Sequence, residues 1–194
     1  MNKPNGYDQV SAGDFEQIKL GGHHLVIKGV RETQSKSGRD MIVVAFDFSP
    51  KDSQPDYFAK DFAADIRPDK KWPNAGTQYI LVYDQNNNAS RNFKRFITAV
   101  EKSNKGFSTQ WGDTFCAQFK GKLLGGIFGE VEEEYNGSVY RRHRLRWFCE
   151  DYSVDSAAIP EPRLLQDNNV TQKAPRSDGF VPVDAVADTP NIPF

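Results

Sequence analysis

The chain has 194 residues, enough for one domain of ordinary size and a tail. Its formal net charge is −1, so a site for a polyanion requires local segregation of charge rather than a basic molecule. No apolar run approaches the ~18 residues of a membrane span, the N-terminus lacks a signal-peptide pattern, and Cys116 and Cys149 form no CxxC pair. We therefore expect a cytoplasmic protein that has reduced thiols and does not bind membranes.

The first half of the chain predicts three strands. Two β-branched runs, residues 23–31 and 41–48, flank a Ser/Gly-rich turn and indicate a hairpin. The second run is almost continuously apolar, which is typical of a strand buried on both faces. Residues 49–76 are interrupted by prolines and predict irregular structure. A third strand follows over residues 77–83.

The second half predicts a helix and a long hairpin. From residue 89 to 103, Phe93, Phe96, Ile97 and Val100 have the i, i+3, i+4, i+7 spacing of a core-facing helix. The last hairpin has its arms over 122–135 and 138–149. The order of elements is that of an OB-fold, so we expect a mainly β domain. It would be a five-stranded, partly open barrel with one helix between strands 3 and 4.

The sequence Asn136-Gly137 is a strong signal for a two-residue hairpin turn. Such a turn fixes the register, because Tyr135 must then face Ser138 and each following pair is determined. The further predicted pairs are Glu132 with Arg141, Glu130 with His143, Phe128 with Leu145, and Gly126 with Trp147.

The other face of the last strand carries the principal candidate site. Its residues are Tyr140, Arg142, Arg144 and Arg146, which we call the arginine row. Glu133 is the one carboxylate expected nearby. Gly129 has no side chain and is expected to leave an open lane, that is, an unoccupied strip of surface, beside Arg144. Side chains on one face lie about 6.5–7 Å apart along a strand, close to the phosphate spacing of an extended single strand of DNA. The alternative is a solvated edge strand whose arginines prevent aggregation.

A second group of candidates combines basic and aromatic side chains, as grooves for single strands do. Phe62, nearby, is expected in the core instead. The predicted DNA-binding residues of this group are Lys28, Tyr57, Lys60, Lys70, Lys71 and Trp72.

The sequence shows no catalytic motif: it lacks a Walker loop, HExxH and GxSxG. The three histidines have no metal-ligand spacing. The glutamates of residues 130–134 are interpreted as a solvated strand, and Asp61, Asp65 and Asp69 lie among lysines and prolines. We therefore expect no enzymatic activity, no cofactor and no metal.

Residues 160–194 differ from the preceding 1–159. They are rich in proline and show no apolar periodicity, so we expect a disordered tail after the folded domain. The tail ends in Ile192-Pro193-Phe194, with Asp188 just upstream. A terminal carboxylate beside an aromatic ring fits an apolar pocket with a basic rim on a partner protein.

This tip resembles the acidic C-terminal tip of bacterial single-stranded DNA-binding proteins, which ends in Ile-Pro-Phe, although aspartates are fewer here. Residues 15–150 resemble the single-stranded DNA-binding proteins of phages and integrated mobile elements of Gram-positive bacteria. The resemblance implies an OB-fold, DNA binding without catalysis, and a role in replication or recombination. The matching stretches are Gly21-Gly22, Ser37-Gly38-Arg39-Asp40-Met41, Phe46-Asp47-Phe48, Phe93-Lys94-Arg95-Phe96-Ile97-Thr98-Ala99-Val100-Glu101-Lys102-Ser103-Asn104, and Gly121-Lys122 leading into Phe128-Gly129-Glu130.

The leading hypothesis is a protein that binds single-stranded DNA without sequence specificity and recruits replication or recombination proteins through its tip. One alternative is a protein–protein adaptor of a phage or mobile-element recombination complex. Another is an RNA-binding OB module. The sequence leaves the oligomeric state open, a homo-oligomer included.

Overall fold

A computed structural model describes Lys3 and residues 16–165 of the chain. The mainly β class is confirmed, as is a helix between strands 3 and 4. Short 3-10 turns lie at Asn74–Gly76, Ala117–Phe119 and Asp151–Ser156. The strands and helices are β1 (Gly21–Gln34), β2 (Asp40–Phe48), α1 (Tyr57–Ala64), β3 (Thr77–Leu81), α2 (Arg91–Ser103), β4 (Leu123–Tyr135) and β5 (Ser138–Cys149).

The five strands form one antiparallel sheet in the order β3-β2-β1-β4-β5. The central strand β1 pairs with β2 from Leu25 to Gln34 and with β4 from Gly21 to Val26. The expected barrel was a partly open one, and the sheet is not closed into a barrel, because no ladder joins β3 to β5 within residues 16–165. β3 is only five residues long, and α2 packs against β3, β4 and β5. The helix, rather than a hydrogen-bonded ladder, therefore bridges the open side.

α2 buries the predicted apolar stripe against the sheet. Its N-cap is Ser90, whose hydroxyl accepts from the Phe93 N–H at 3.2 Å. At its other end the Asn104 amide donates to Val100 O at 2.8 Å and to Leu123 O at 2.7 Å. The end of the helix is thereby tied to the start of β4.

The expectation of irregular structure over residues 49–76 was wrong in one place, where α1 forms. The carboxylate of Asp47, on β2, accepts from the Phe58 N–H at 2.9 Å and from the Ala59 N–H at 3.1 Å. These are first-turn donors, which have no partner inside a helix. Phe58 is 1% exposed and anchors the helix in the core. The cap comes from a residue on another element, so the local sequence of the helix does not reveal it.

The core is built from phenylalanines, which explains much of the aromatic content. Six of them, on five different elements, are fully buried: Phe46, Phe48, Phe58, Phe96, Phe119 and Phe128. Burying such rings is a major source of stability, since Phe→Ala in a core costs roughly 3–5 kcal/mol. Neither described helix is long and apolar enough to cross a membrane.

The 3-10 turn Asp151–Ser156 packs on the face of β1 and β4 opposite the core, and glycines on the two strands make room for it. A Cβ at Gly22 would lie 2.1 Å from the Val154 carbonyl oxygen, and one at Gly125 would lie 2.5 Å from Val154 Cγ1. Those distances are shorter than any real contact, so only glycine permits the 3-10 turn Asp151–Ser156 to pack here.

Candidate nucleic-acid interface

The β4–β5 hairpin has the predicted turn and register over most of its length. Asn136 and Gly137 have φ of 51° and 75°, as a type I′ turn requires. The pairs from Tyr135–Ser138 to Phe128–Leu145 are those predicted. On the opposite face from the arginine row, Arg141 pairs with Glu132 at 3.2 Å, as that register implies.

The predicted pair Gly126–Trp147 was wrong, because the register shifts beyond Phe128. Ile127 lies opposite Trp147 and Gly126 opposite Phe148, so Arg146 is the extra residue of a β-bulge. The bulge keeps both Leu145 and Phe148 in the core, where they are 5% and 4% exposed. Regular alternation would have turned one of them outward.

Tyr140, Arg142 and Arg144 lie in the predicted row on the outer face of β5. The Tyr140 ring is 43% exposed, and the Arg142 guanidinium lies 5.6 Å from its centroid. That contact is a cation–π interaction. The Arg142 side chain is 49% exposed and that of Arg144 is 30% exposed. An aromatic ring and charged donors thus stand side by side on a surface open to solvent.

Glu133 is shared between two of these arginines. Arg144 Nε and Nη2 donate to its two carboxylate oxygens at 2.8 and 3.0 Å, and Arg142 Nε lies 3.4 Å from Oε2. The hydrogen bond from Arg144 holds the pKa of Glu133 below its ordinary value of 4.5. One negative charge thus faces two positive charges, and the row keeps a surplus.

The lane beside Arg144 is not open, contrary to expectation. Pro160 occupies it, since a Cβ at Gly129 would lie 2.6 Å from Pro160 Cγ and 3.1 Å from Arg146 Cγ. Arg146 Nη1 donates to the Glu161 carbonyl at 2.9 Å. The bulged end of the row is therefore anchored to a later part of the chain.

That later part, residues 160–165, is here called the strap. Its Arg163 N–H donates to Glu130 O, and the Glu132 N–H donates to Arg163 O, both at 2.9 Å. The strap thus pairs in parallel with β4, at an edge that is left open because β1 stops pairing at Phe128. The sequence analysis placed residues 160–165 in the tail, after a domain boundary at residue 159. In the structure, Pro160, Glu161 and Arg163 contact β4 and β5. The tip candidates Asp188, Ile192, Pro193 and Phe194 lie outside the described residues.

Three of the other candidates have structural partners. Lys28 Nζ lies 3.5 Å from the buried Asp47 carboxylate. The Trp72 Nε1–H contacts Phe46 O at 3.2 Å and Gly76 O at 3.1 Å. Tyr57 packs against Phe48 and donates its hydroxyl to a backbone carbonyl. These contacts favour a role in packing for both rings.

The remaining lysines of that group reach solvent. Lys60 and Lys71 are exposed, and Lys70 Nζ lies 4.7 Å above the Phe62 ring. Phe62, expected in the core, is only half-buried and lies against Trp72. Lys60 and Lys71 thus present their charges to solvent, whereas Lys70 lies against an aromatic ring.

Two surface features were missed by the sequence reasoning. The register aligns Arg31 with Val43 and Tyr79 across β1, β2 and β3, on the outer face of the sheet. Trp111 is 68% exposed and stacks on Phe115 with ring centroids 5.2 Å apart. Arg31 and Trp111 both line a groove of about 930 Å³. Arg31 ended the predicted first strand, but its alignment with Val43 and Tyr79 depends on the pairing of β1, β2 and β3, and nothing in the irregular stretch around Trp111 indicates its exposure.

Within residues 16–165, no three His, Cys, Asp or Glu side chains are grouped so as to hold a metal ion. Three of the acidic residues considered for such a site have basic partners. Glu130 and Glu132 both face Arg141, at 3.5 and 3.2 Å, and Asp65 pairs with Arg67 at 2.6 Å.

No protein-family model matches this chain, and no curated protein matches it.

Proposed function

We propose that this protein binds single-stranded DNA without sequence specificity and without catalysis, in the cytoplasm, during replication or recombination. One observation carries the proposal: Tyr140, Arg142 and Arg144 lie side by side on the outer face of β5, with Glu133 as the carboxylate they share. Guanidinium groups bind phosphates bidentately, and rings of any kind stack on bases of any kind.

The geometry of a strand suits an extended ligand. Arg142 and Arg144 alternate along β5, so their Cα atoms are spaced by about 6.5–7 Å. Successive phosphates of an extended single strand have a similar spacing, and Tyr140 extends the row by one further position. Phosphate contacts and stacking carry no information about base sequence, which is why we propose non-specific binding.

The tip of the tail would recruit replication or recombination proteins. This part of the proposal rests on the sequence alone, on Ile192-Pro193-Phe194 and the upstream Asp188. An aromatic side chain that follows acidic residues is a ligand for a basic-rimmed apolar pocket.

Fluorescence titration with oligo-dT, oligo-rU and duplex DNA tests the function, with Trp147, which lies on β5 beside Arg146, as reporter. We expect binding to oligo-dT that quenches fluorescence and weakens as salt increases, because bound phosphates release counter-ions. Preference for oligo-rU would indicate the RNA-binding alternative. Absence of binding to all three ligands at low salt would refute the proposal and favour an adaptor.

The double variant Arg142→Ala/Arg144→Ala tests the site. Log affinity falls as log salt concentration rises, and each lost phosphate contact should make this slope less steep by about 1. We therefore expect the slope of the double variant to be less steep by about 2, and its binding to be clearly weaker.

The matched control for that variant is Arg141→Ala. It removes a guanidinium from the same strand but from the opposite face, where Arg141 pairs with Glu132. An unchanged slope in the double variant would place the DNA elsewhere on the protein.

A further inference from the structure

Arg163, on the strap, lies beside the arginine row. Arg163 is the bridge partner of Val131 on one side of β4, and Arg142 is its partner on the other. Paired residues on neighbouring strands project from the same face of a sheet. Arg142 and Arg163 therefore flank Val131, which is 2% exposed, on the face that carries the row.

Arg163 also lies close to the rest of the row. Burial and the positive charge of Arg146 lower the pKa of Arg163, while Glu133 opposes that shift. Glu133 is thus within electrostatic range of Arg142, Arg144 and Arg163 together.

The result is a cluster of four guanidinium groups, in which Arg142, Arg144 and Arg163 share the Glu133 carboxylate and Arg146 lies close to Arg163. Its members are Arg142, Arg144, Arg146 and Arg163, and we call it the arginine cluster. Backbone pairing to β4 holds Arg163 in place despite the like charges. The Arg163 N–H donates to Glu130 O, and the Arg163 carbonyl accepts from the Glu132 N–H, both at 2.9 Å. Concentrated positive charge of this kind attracts a polyanion and is relieved by one.

We infer that Arg163 is a further phosphate-binding residue and that its ligand is the phosphodiester backbone of single-stranded DNA. The pairing of the strap with β4 places Arg163 beside the arginine row. The inference rests on the proposed function and assigns a residue that lies outside the β4–β5 hairpin. Neighbouring strands are about 4.8 Å apart, so Arg163 lies two strands, or about 10 Å, from Arg142. At that distance Arg163 contacts a different phosphate from the one bound by Arg142.

DNA bound to Arg163 would hold the strap against β4, because the strap is attached to β4 by the backbone hydrogen bonds of Arg163. Bound DNA should therefore slow amide hydrogen exchange at Arg163, whose N–H donates to Glu130 O.

Salt-dependent titration of oligo-dT with full-length Arg163→Gln tests the inference. We expect the slope of log affinity against log salt to be less steep by about 1 than in the unmodified chain, and the affinity to be several-fold weaker. Arg163→Lys keeps the charge and should keep the slope, whereas a purely structural role for the guanidinium would not distinguish the two variants in this way. Arg141→Gln is the matched control and should leave the slope unchanged.

The outcomes separate this inference from the proposed function. If Arg163→Gln keeps the full slope, or binds more tightly, while Arg142→Ala/Arg144→Ala loses slope, Arg163 does not bind phosphate and the proposed function still stands. If no oligonucleotide binds the unmodified chain, the proposed function itself fails. Should Arg163→Gln fold poorly, the exchange measurement on the unmodified chain decides, because oligo-dT that does not slow exchange at Arg163 would overturn the inference.

Discussion

At the scale of single residues, Glu133 controls how much positive charge the arginine row offers to a ligand. Its carboxylate binds Arg144 through two hydrogen bonds and lies 3.4 Å from Arg142 Nε. A phosphate must displace or share these contacts, because it binds the same guanidinium edges. Glu133 would thus keep the hairpin ordered without DNA and weaken its affinity for DNA.

Replacing Glu133→Gln should therefore tighten oligo-dT binding several-fold and steepen its salt dependence, because the removed charge no longer competes with phosphate. Glu134→Gln is the control, since it removes the same charge from the next position of β4, on the other face. Equal effects of the two variants would mean that only net charge matters and that Glu133 has no specific role.

The same substitution should have a pH-dependent effect on stability. The pKa of Glu133 is lowered in the folded state from 4.5, chiefly by the hydrogen bond from Arg144. A lowered pKa means that the ionised group stabilises the fold above the unfolded-state value, and this contribution is lost as pH falls through the folded-state value. Glu133→Gln should be less stable than the unmodified chain in urea at neutral pH, and the difference should disappear in acid.

At the scale of elements, α1 depends on a side chain from another element. Asp47 lies on β2, is fully buried, and accepts backbone hydrogen bonds from Phe58 and Ala59 at the start of α1. It also faces Lys28 at 3.5 Å. The end of β2, the start of α1 and the bulge of β1 are thus joined at one buried carboxylate.

Asp47→Asn should destabilise the fold by about 2 kcal/mol, because an amide NH₂ would face the Ala59 N–H and Lys28, which are themselves donors. Urea denaturation measures the effect. Asp40→Asn is the control: Asp40 also lies on β2 but is exposed. A loss for Asp47→Asn no larger than that of the control would mean that α1 does not need this cap.

At the scale of the whole molecule, charge is arranged in patches. The formal net charge is −1, yet the β4–β5 hairpin and the strap bring Arg142, Arg144 and Arg163 to one carboxylate, with Arg146 close to Arg163. The strap joins this surface to residues 166–194, which carry the candidate partner-binding tip. DNA binding and partner recruitment would accordingly use separate parts of one chain.

Deleting Ile192–Phe194 should leave the oligo-dT affinity undiminished, because no DNA-binding candidate lies there. The same deletion should abolish capture of replication or recombination proteins in a pull-down. Deleting three residues from the N-terminus, Met1 to Lys3, is a control of equal length. Retained capture without the tip would locate partner recruitment elsewhere in the chain.

The sequence by itself determined the features that depend on neighbours along the chain. Asn136-Gly137 fixed the register from Tyr135–Ser138 to Phe128–Leu145, because only residues that tolerate positive φ form that turn. The helical spacing of four apolar residues determined α2. The row Tyr140, Arg142 and Arg144 then followed from simple alternation along a strand.

Only the tertiary structure decided the features that depend on residues far apart in sequence. The bulge at Arg146 arises because Leu145 and Phe148 must both reach the core. Pro160 fills the lane over Gly129, and Arg163 joins the row, because β1 stops short and leaves an edge of β4 for the strap. Such contacts are set by which surfaces the folded sheet leaves uncovered, and no local pattern in the sequence records that.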